Sequence, residues 1–430
     1  MPLINIEKNP RIKAAVIFPE VAGEYVSLSS EARLEEVSGL ALAVNLDVVY
    51  KEIVRVRAVK PSTFLSQGTL DKILPLVGQG VELLVVDTQL SPIQQRNLET
   101  RLGLKVIDRT ALILEIFGER AQTREGKLQV ELAHLTYQRS RLVRSWTHLE
   151  RQRGGAGFLG GPGEKQIELD RRIIDEKIIR IKKDLEKVRL TRSIQRAARS
   201  RVPYPVVALV GYTNAGKSSL FNRLSASSVL AEDLLFATLD TSMRRIVLPS
   251  GREVILSDTV GFISDLPHEL VMAFRATLEE VVNADLVVHV RDIANETSRE
   301  QKQDVLKVLE SLGFQNIEED RRYVEVLNKI DLLEDERKRD VIARKKAFMA
   351  PLSALSGEGC AAFLDLIDAK LSQDYETLEL EVGASNGRLI AWIYDNTEVL
   401  DHVIKEDRIR FRIRLDAAAN SRLQKMLPPL

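Results

Sequence analysis

The chain of 430 residues contains one cysteine, Cys360. A single thiol excludes an internal disulfide and any zinc site built from several cysteines, and it fits a reducing, cytoplasmic setting. Histidine is scarce too, with five in the chain. The one start of a zinc-protease signature, His268-Glu269, fails because Met272 stands where the second histidine is needed. Long hydrophobic runs are missing. PVVALV and ADLVVHV are far shorter than the roughly 20 apolar residues that cross a bilayer. No basic-then-apolar leader and no lipidation signal are visible, so no membrane partner is expected. Net charge is zero, which argues against nonspecific coating of nucleic acid.

That neutrality conceals a local excess. From Arg139 to Arg201, Lys and Arg outnumber Asp and Glu by ten. Such a block is either an arm for a polyanion or a solvated helix pair laced with salt bridges. The apolar fraction of 44% is enough for ordinary cores, and the length implies two to four domains.

The pattern predicts an α/β multidomain chain. Residues 1–120 alternate strand and helix signals and read as an N-terminal parallel α/β domain. AAVIF, DVVYKEIVRV, ELLVVD and LKVID are its strands; SEARLEEVSGLALAV and SPIQQRNLETRL are its helices, the second capped by Ser91 with Pro92 at the first helical position. Residues 121–201 read as a long basic helical hairpin, with Ile167, Ile174, Ile178, Ile181, Leu185 and Val188 at helical spacing. Its tip, 154–163, is rich in glycine. Gly155, Gly157 and Gly160 there match the dinucleotide fingerprint, but a basic helix precedes them where that fingerprint needs a strand, so the match is discarded. Pro203 and Pro205 open a second alternating unit, 202–373, and a small α+β domain follows at 374–430.

The second unit carries the chemistry. After PVVALV comes GYTNAGKSS, the phosphate-loop pattern in its strand–loop–helix context: Gly211, Tyr212, Thr213, Asn214, Ala215, Gly216, Lys217, Ser218 and Ser219. Backbone N–H groups and the helix dipole would cradle phosphates there; Lys217 would reach the β- and γ-phosphates and Ser218 would bind Mg²⁺. REVILSD ends at Asp258, placed for the Mg²⁺ shell, and the Gly261 N–H would sense the γ-phosphate. Asn328-Lys329-Ile330-Asp331 follows YVEVL. Asp331 would accept two hydrogen bonds from the guanine N1–H and 2-amino group, a donor pair that adenine lacks. Asn328 would brace the base, the Lys329 stem would lie along it, and Ser353, Ala354 and Leu355 would form a loop over it. Together these elements imply a P-loop GTPase domain. These motifs resemble the translation-factor-related class of P-loop GTPases, in which a switch threonine completes the Mg²⁺ shell when the γ-phosphate is present; the resemblance implies that role for Thr238 in LFATLD, with Thr241 its rival.

The residue after Gly261 is Phe262, where many such enzymes place a glutamine that orients the attacking water. The catalytic group is therefore unassigned, and slow hydrolysis by the chain alone is expected. Arg244, Arg245 and Arg275 are candidate cis arginine fingers.

RAQTREGKLQVELAHLTYQRSRL, GGPGEKQIELDRR, GYTNAGKSSLFNRL, LFATLD and DTVGFISDLPHELVMAFRATLEE closely resemble the HflX family of ribosome-associated GTPases, translation-factor-related P-loop enzymes. The resemblance implies binding to the large (50S) ribosomal subunit and its rRNA, GTPase activity stimulated by ribosomal subunits, and splitting, recycling or rescue of ribosomes by a cytoplasmic monomer. A GTP-dependent role in ribosome assembly or rRNA folding is the alternative. The hairpin tip would point at the peptidyl-transferase centre, with Arg139, Arg141, Arg144, Arg151, Arg153, Arg171 and Arg172 as phosphate contacts. Phe158 would stack on a base or pin the loop to its own helices. Asn214 matches the cation-binding asparagine of K⁺-activated relatives, although asparagine suits a tight loop regardless. ATP use attributed to the family finds no supporting site in the N-terminal region. Two departures stand out: the tip lacks the family's Thr-Arg-Gly segment, and Thr241 replaces a proline. In DRIRFRIRLD, Arg408, Arg410, Arg412 and Arg414 share one strand face, either a further RNA contact or a solvated outer face.

Overall fold

The computed structural model describes residues 11–23, 27–152, 162–199, 204–226, 236, 241–265, 275–372, 375–405 and 407–427. The N-terminal unit runs β1 (Lys13–Val21), α1 (Ser30–Ala43), β2 (Asp47–Val56), α2 (Gln67–Val77), β3 (Leu83–Val86), α3 (Pro92–Leu102), β4 (Lys105–Asp108) and α4 (Arg109–Arg120). Its four strands are parallel in the order β2-β1-β3-β4. At α3, the Ser91 hydroxyl accepts the Gln94 N–H at 3.2 Å and the Gln94 side chain returns to the Ser91 N–H at 2.9 Å, a reciprocal cap.

Two helices of this unit escape the sequence pattern. Pro75 lies inside α2 and reads as a breaker. In α4, Leu112, Ile113, Leu114, Ile116 and Phe117 are all buried, which leaves only a narrow exposed stripe at Glu115, Gly118 and Glu119.

α5 (Arg124–Gln152) and α6 (Pro162–Arg199) form the hairpin. Leu128, Leu132 and Leu135 of α5 pack on Ile174, Ile178, Ile181 and Leu185 of α6.

The next unit runs β5 (Val206–Val210), α7 (Lys217–Ser225), β6 (Ser242–Val247), β7 (Glu253–Asp258), α8 (Arg275–Val282), β8 (Leu286–Asp292), α9 (Ser298–Ser311), β9 (Tyr323–Asn328), α10 (Asp335–Ala343), β10 (Met349–Pro351) and α11 (Cys360–Leu371). The sheet order is β10-β9-β8-β5-β7-β6, parallel except for the antiparallel edge strand β6. The carboxyl ends of β5, β7 and β9 therefore meet at one rim, where an open α/β sheet binds its ligand.

The last unit is β11 (Tyr375–Gly383), α12 (Gly387–Asn396), β12 (Glu398–Lys405), β13 (Arg408–Asp416) and α13 (Ala417–Met426), an antiparallel sheet in the order β11-β13-β12. Ile409, Phe411, Ile413 and Leu415 of the central strand face the helices. The four arginines occupy the opposite face between acidic neighbours: Glu379 and Asp401 flank Arg412, and Glu398 pairs with Arg414. Glu381 holds Arg410 at 2.7 Å and Arg408 at 3.7 Å. Among the described residues, no helix is long and apolar enough to cross a membrane.

Candidate guanine-nucleotide site

β5 feeds the phosphate loop, which turns twice through left-handed positions, at Asn214 (φ 58°) and Gly216 (φ 90°), before α7 begins. The turn itself accounts for asparagine at 214. A side chain at Gly216 would collide with the Asn328 amide, since a Cβ there would lie 2.2 Å from Nδ2. The collision marks how closely the two loops meet: Asn328 Nδ2 donates to the Ala215 carbonyl at 2.8 Å, and its Oδ1 accepts the Ala354 N–H at 2.9 Å. One buried asparagine thus joins the phosphate loop, the end of β9 just before Asp331 and the loop of Ser353, Ala354 and Leu355. Asp331 and Leu355 are exposed at this rim; Ser353 and Ala354 are buried.

Lys329 has φ 66°, and its ammonium pairs with Asp292 at 2.8 Å. Asp292 lies opposite Asn328 in the β8–β9 register. The sequence reading missed it, although it ends the apolar run ADLVVHVRD at the ligand-binding rim.

At the phosphate end, the Ser218 hydroxyl donates to the fully buried Asp258 carboxylate at 2.7 Å. A hydroxyl and a carboxylate oxygen this close, at a helix N-terminus, suit one hard oxygen-liganded cation such as Mg²⁺. Lys217 donates to the carbonyls of Gly211 at 3.1 Å and Tyr212 at 2.9 Å. Burial lowers its pKa to about 8, against the opposing pull of Asp258. Because the folded value lies below the unfolded one, the contribution of Lys217 to the stability of the nucleotide-free chain rises as pH increases from about 8 toward 10.5. Phosphates reverse that preference by favouring the ammonium. Binding of GTP slightly above pH 8 is therefore expected to take up a proton, and affinity should fall as pH rises further. Calorimetry in two buffers of different ionisation enthalpy reads the uptake directly; none at pH 8.5 would refute the assignment.

Phe262 is turned away from this site. Its ring is buried in the core with Tyr212, Leu278 and Val281. Its backbone pairs with the phosphate loop instead, its N–H to the Gly211 carbonyl at 3.1 Å and its carbonyl to the Thr213 N–H at 2.7 Å. Gly261 is pressed against Thr213 and Lys217, where a Cβ would lie 2.8 Å from Thr213 Cγ2. Two candidate fingers lie away from the site: Arg244 and Arg245 are exposed on edge strand β6, and Arg245 pairs with Glu253 at 3.2 Å. Thr238 falls outside the described residues, and the side chain of Arg275 is not among those described.

The N-terminal unit grips this site, which the sequence reading did not foresee. Tyr212 of the phosphate loop donates its hydroxyl to Glu36 of α1 and accepts the Ser264 N–H at 2.7 Å. Burial, then Glu36, pushes the phenol well above its usual range, so it remains a donor. The Ser264 hydroxyl lies 2.9 Å from Glu36 and accepts from Arg33 at 2.8 Å. Arg109 donates to the Ser264 carbonyl at 2.7 Å, to Asp87 at 2.6 Å and to Glu36. Asp87 also holds Arg33 at 3.1 Å. Apolar contacts reinforce the grip, with Phe236 of LFATLD meeting Phe117 edge-on at 4.8 Å and Val260 and Ile263 joining the N-terminal core.

The hairpin arginines divide. The Arg141 guanidinium turns toward the N-terminal unit, bonding Asp108 at 3.2 Å, the Tyr137 hydroxyl at 2.6 Å and the Gln95 side chain, so it is paired with buried Asp108 in this structure. Arg139 pairs with Asp175 of α6 at 3.0 Å. Arg172 is exposed and pairs with Glu176 at 3.4 Å, and Arg171 is exposed. Arg144 and Arg151 lie on α5 with side chains not among those described; Arg153, Phe158 and most of the tip fall outside the described residues.

A phosphate loop at the end of a central parallel strand, joined through an asparagine to an Asn-Lys-x-Asp loop, defines the class: a P-loop GTPase. Family profiles match nearly the whole chain. They are described as GTP-binding GTPase N-terminal (31–118), GTP-binding GTPase middle region (120–199), 50S ribosome-binding GTPase (206–329) and HflX C-terminal domain (340–428). The GTPase HflX of Magnetococcus marinus is 46% identical over 394 residues, covering 91% of this chain and 90% of its own length. The GTPase HflX of Escherichia coli is 43% identical over 377 residues, covering 87% of each. A GTP-binding protein from Sulfolobus solfataricus, solved with GDP, is 23% identical with a TM-score of 0.45, covering 84% of this chain and 99% of that one. The chain belongs to the HflX family of GTPases, and its reaction is the hydrolysis of GTP to GDP and phosphate.

Proposed function

We propose that this GTPase is a GTP-switched factor for the large (50S) ribosomal subunit, serving to split, recycle or rescue ribosomes as a cytoplasmic monomer. The observation that carries the reading is the match of 206–329 to the 50S ribosome-binding GTPase profile. The basic hairpin supports it, since exposed Arg171 and Arg172 on α6 suit rRNA phosphates.

Lys217 would neutralise the β- and γ-phosphates, while Ser218 and Asp258, with Thr238, would hold a Mg²⁺ ion. The metal supplies charge neutralisation across the phosphates. Water attacks the γ-phosphorus, the bond to the β–γ bridging oxygen breaks, and GDP leaves with that electron pair. Phe262 offers no group to orient the water, so the bound subunit completes the site. Loss of the γ-phosphate frees the segments around Thr238 and Gly261, and the protein dissociates.

Turnover is expected to be slow alone and to rise at least about 10-fold with 50S subunits, less at high salt as phosphate contacts weaken. Steady-state assays with 30S, 50S and 70S particles, paired with light scattering of 70S, test both halves. Stimulation without a fall in scattering would favour the assembly role; fast turnover without particles would refute a partner-completed site.

A further inference from the structure

We propose that Arg223 is a positioning residue for guanine selectivity: from the last turn of the phosphate-binding helix, it fixes the loop that covers the base. This rests on the guanine-nucleotide site assigned above. Arg223 Nε donates to the Ala354 carbonyl and Nη2 to the Leu355 carbonyl. The Ala354 peptide is thus held at both ends, its N–H by Asn328 at 2.9 Å and its carbonyl by Arg223.

The loop is shaped to receive the guanidinium. It folds back on itself through Ser353 N–H to the Glu358 carbonyl and Gly357 N–H to the Ser353 carbonyl, both 2.9 Å. Gly357 sits at φ 90°, and a Cβ there would lie 2.8 Å from Arg223 Nη1. Packing does not replace this bond pair, because Leu355 is 79% exposed. Nor does Arg223 serve the core, since it is itself exposed. Lysine could not substitute fully, because a compact ammonium lacks the planar fork that spans two successive carbonyls.

The consequence follows from the helix. α7 presents Lys217 and Ser218 to the phosphates at its first turn and Arg223 to the base loop at its last. One rigid element therefore sets the span between the two ends of the nucleotide. Removing Arg223 loosens the base end and leaves the phosphate chemistry in place.

The test uses the full chain, with stopped-flow release of a fluorescent GDP analogue and steady-state kinetics on GTP and ITP, which lacks the 2-amino group. Arg223→Ala is expected to speed GDP release roughly 10- to 100-fold and raise the GTP KM by a similar factor, with kcat within about 2-fold of wild type. Preference for GTP over ITP should narrow. Arg223→Lys should fall between. Wild-type GDP release and an unchanged GTP-to-ITP ratio in Arg223→Ala would overturn the proposal. So would a fall in kcat at constant KM with loss of helical circular dichroism, which would assign Arg223 to folding. Failure of the wild-type chain to bind GDP would instead refute the guanine site itself.

Discussion

Asp331→Asn is expected to cut kcat/KM for GTP by roughly 10³- to 10⁴-fold and to make XTP a substrate. The carboxylate offers only acceptors, which match the adjacent N1–H and 2-amino donors of guanine. An asparagine amide turns one acceptor into a donor and sets it against the 2-amino group, leaving two donors face to face. Xanthine carries a carbonyl at that position, so the same amide fits it. Asp331 is exposed on a three-residue helical turn, so the change should not disturb folding. Steady-state kinetics on both nucleotides check the result. A variant that still hydrolyses GTP at the wild-type kcat/KM would remove Asp331 from base recognition.

Asp87→Ala should have the largest effect on stability, a loss of about 3–5 kcal/mol in chemical denaturation. Asp87 is fully shielded and holds two buried guanidinium groups, Arg33 at 3.1 Å and Arg109 at 2.6 Å. Burial works against the Arg109 charge, and Asp87 and Glu36 together raise its pKa; without Asp87 the group still stays cationic, because a guanidinium does not deprotonate in proteins. The cost arises from that uncompensated charge. Asp87→Asn, which keeps the shape and one acceptor, should cost less. The same guanidinium groups hold Ser264, so the N-terminal unit and the nucleotide site should loosen together. A denaturation midpoint unchanged by Asp87→Ala would show that solvent already reaches the cluster.

Much of the nucleotide site is legible in the chain because its chemistry is local. A phosphate loop needs glycines and a lysine within nine residues of a strand end, from Gly211 to Ser219, and the structure places them between β5 and α7. Asn328 and Asp331 likewise take their positions from the end of β9. Alternating apolar residues along DRIRFRIRLD identified a strand, but its partners did not follow from that pattern. The arginine face read equally as a further contact or as a solvated outer face; that Glu379, Glu381, Glu398 and Asp401 stand beside it, on strands distant in sequence, could not be read from the pattern. Arg141 shows the same limit. Its basic helix pointed to phosphate contacts, while the carboxylate that pairs with it, Asp108, lies 33 residues earlier at the end of β4.

By itself, the sequence determined the order of α/β units, the helical hairpin and the phosphate loop, and it marked the candidate residues for guanine recognition, because each depends on backbone preference and side-chain chemistry within a few turns of chain. Tertiary structure alone decided where Phe262 points, which arginines remain exposed, and how the N-terminal unit holds the site. Glu36 meets Tyr212 across 176 residues and Arg33 meets Ser264 across 231. No periodicity or motif encodes such pairings. They arise when two parallel sheets present their loop-bearing rims to each other, where buried charges must find partners or destabilise the fold.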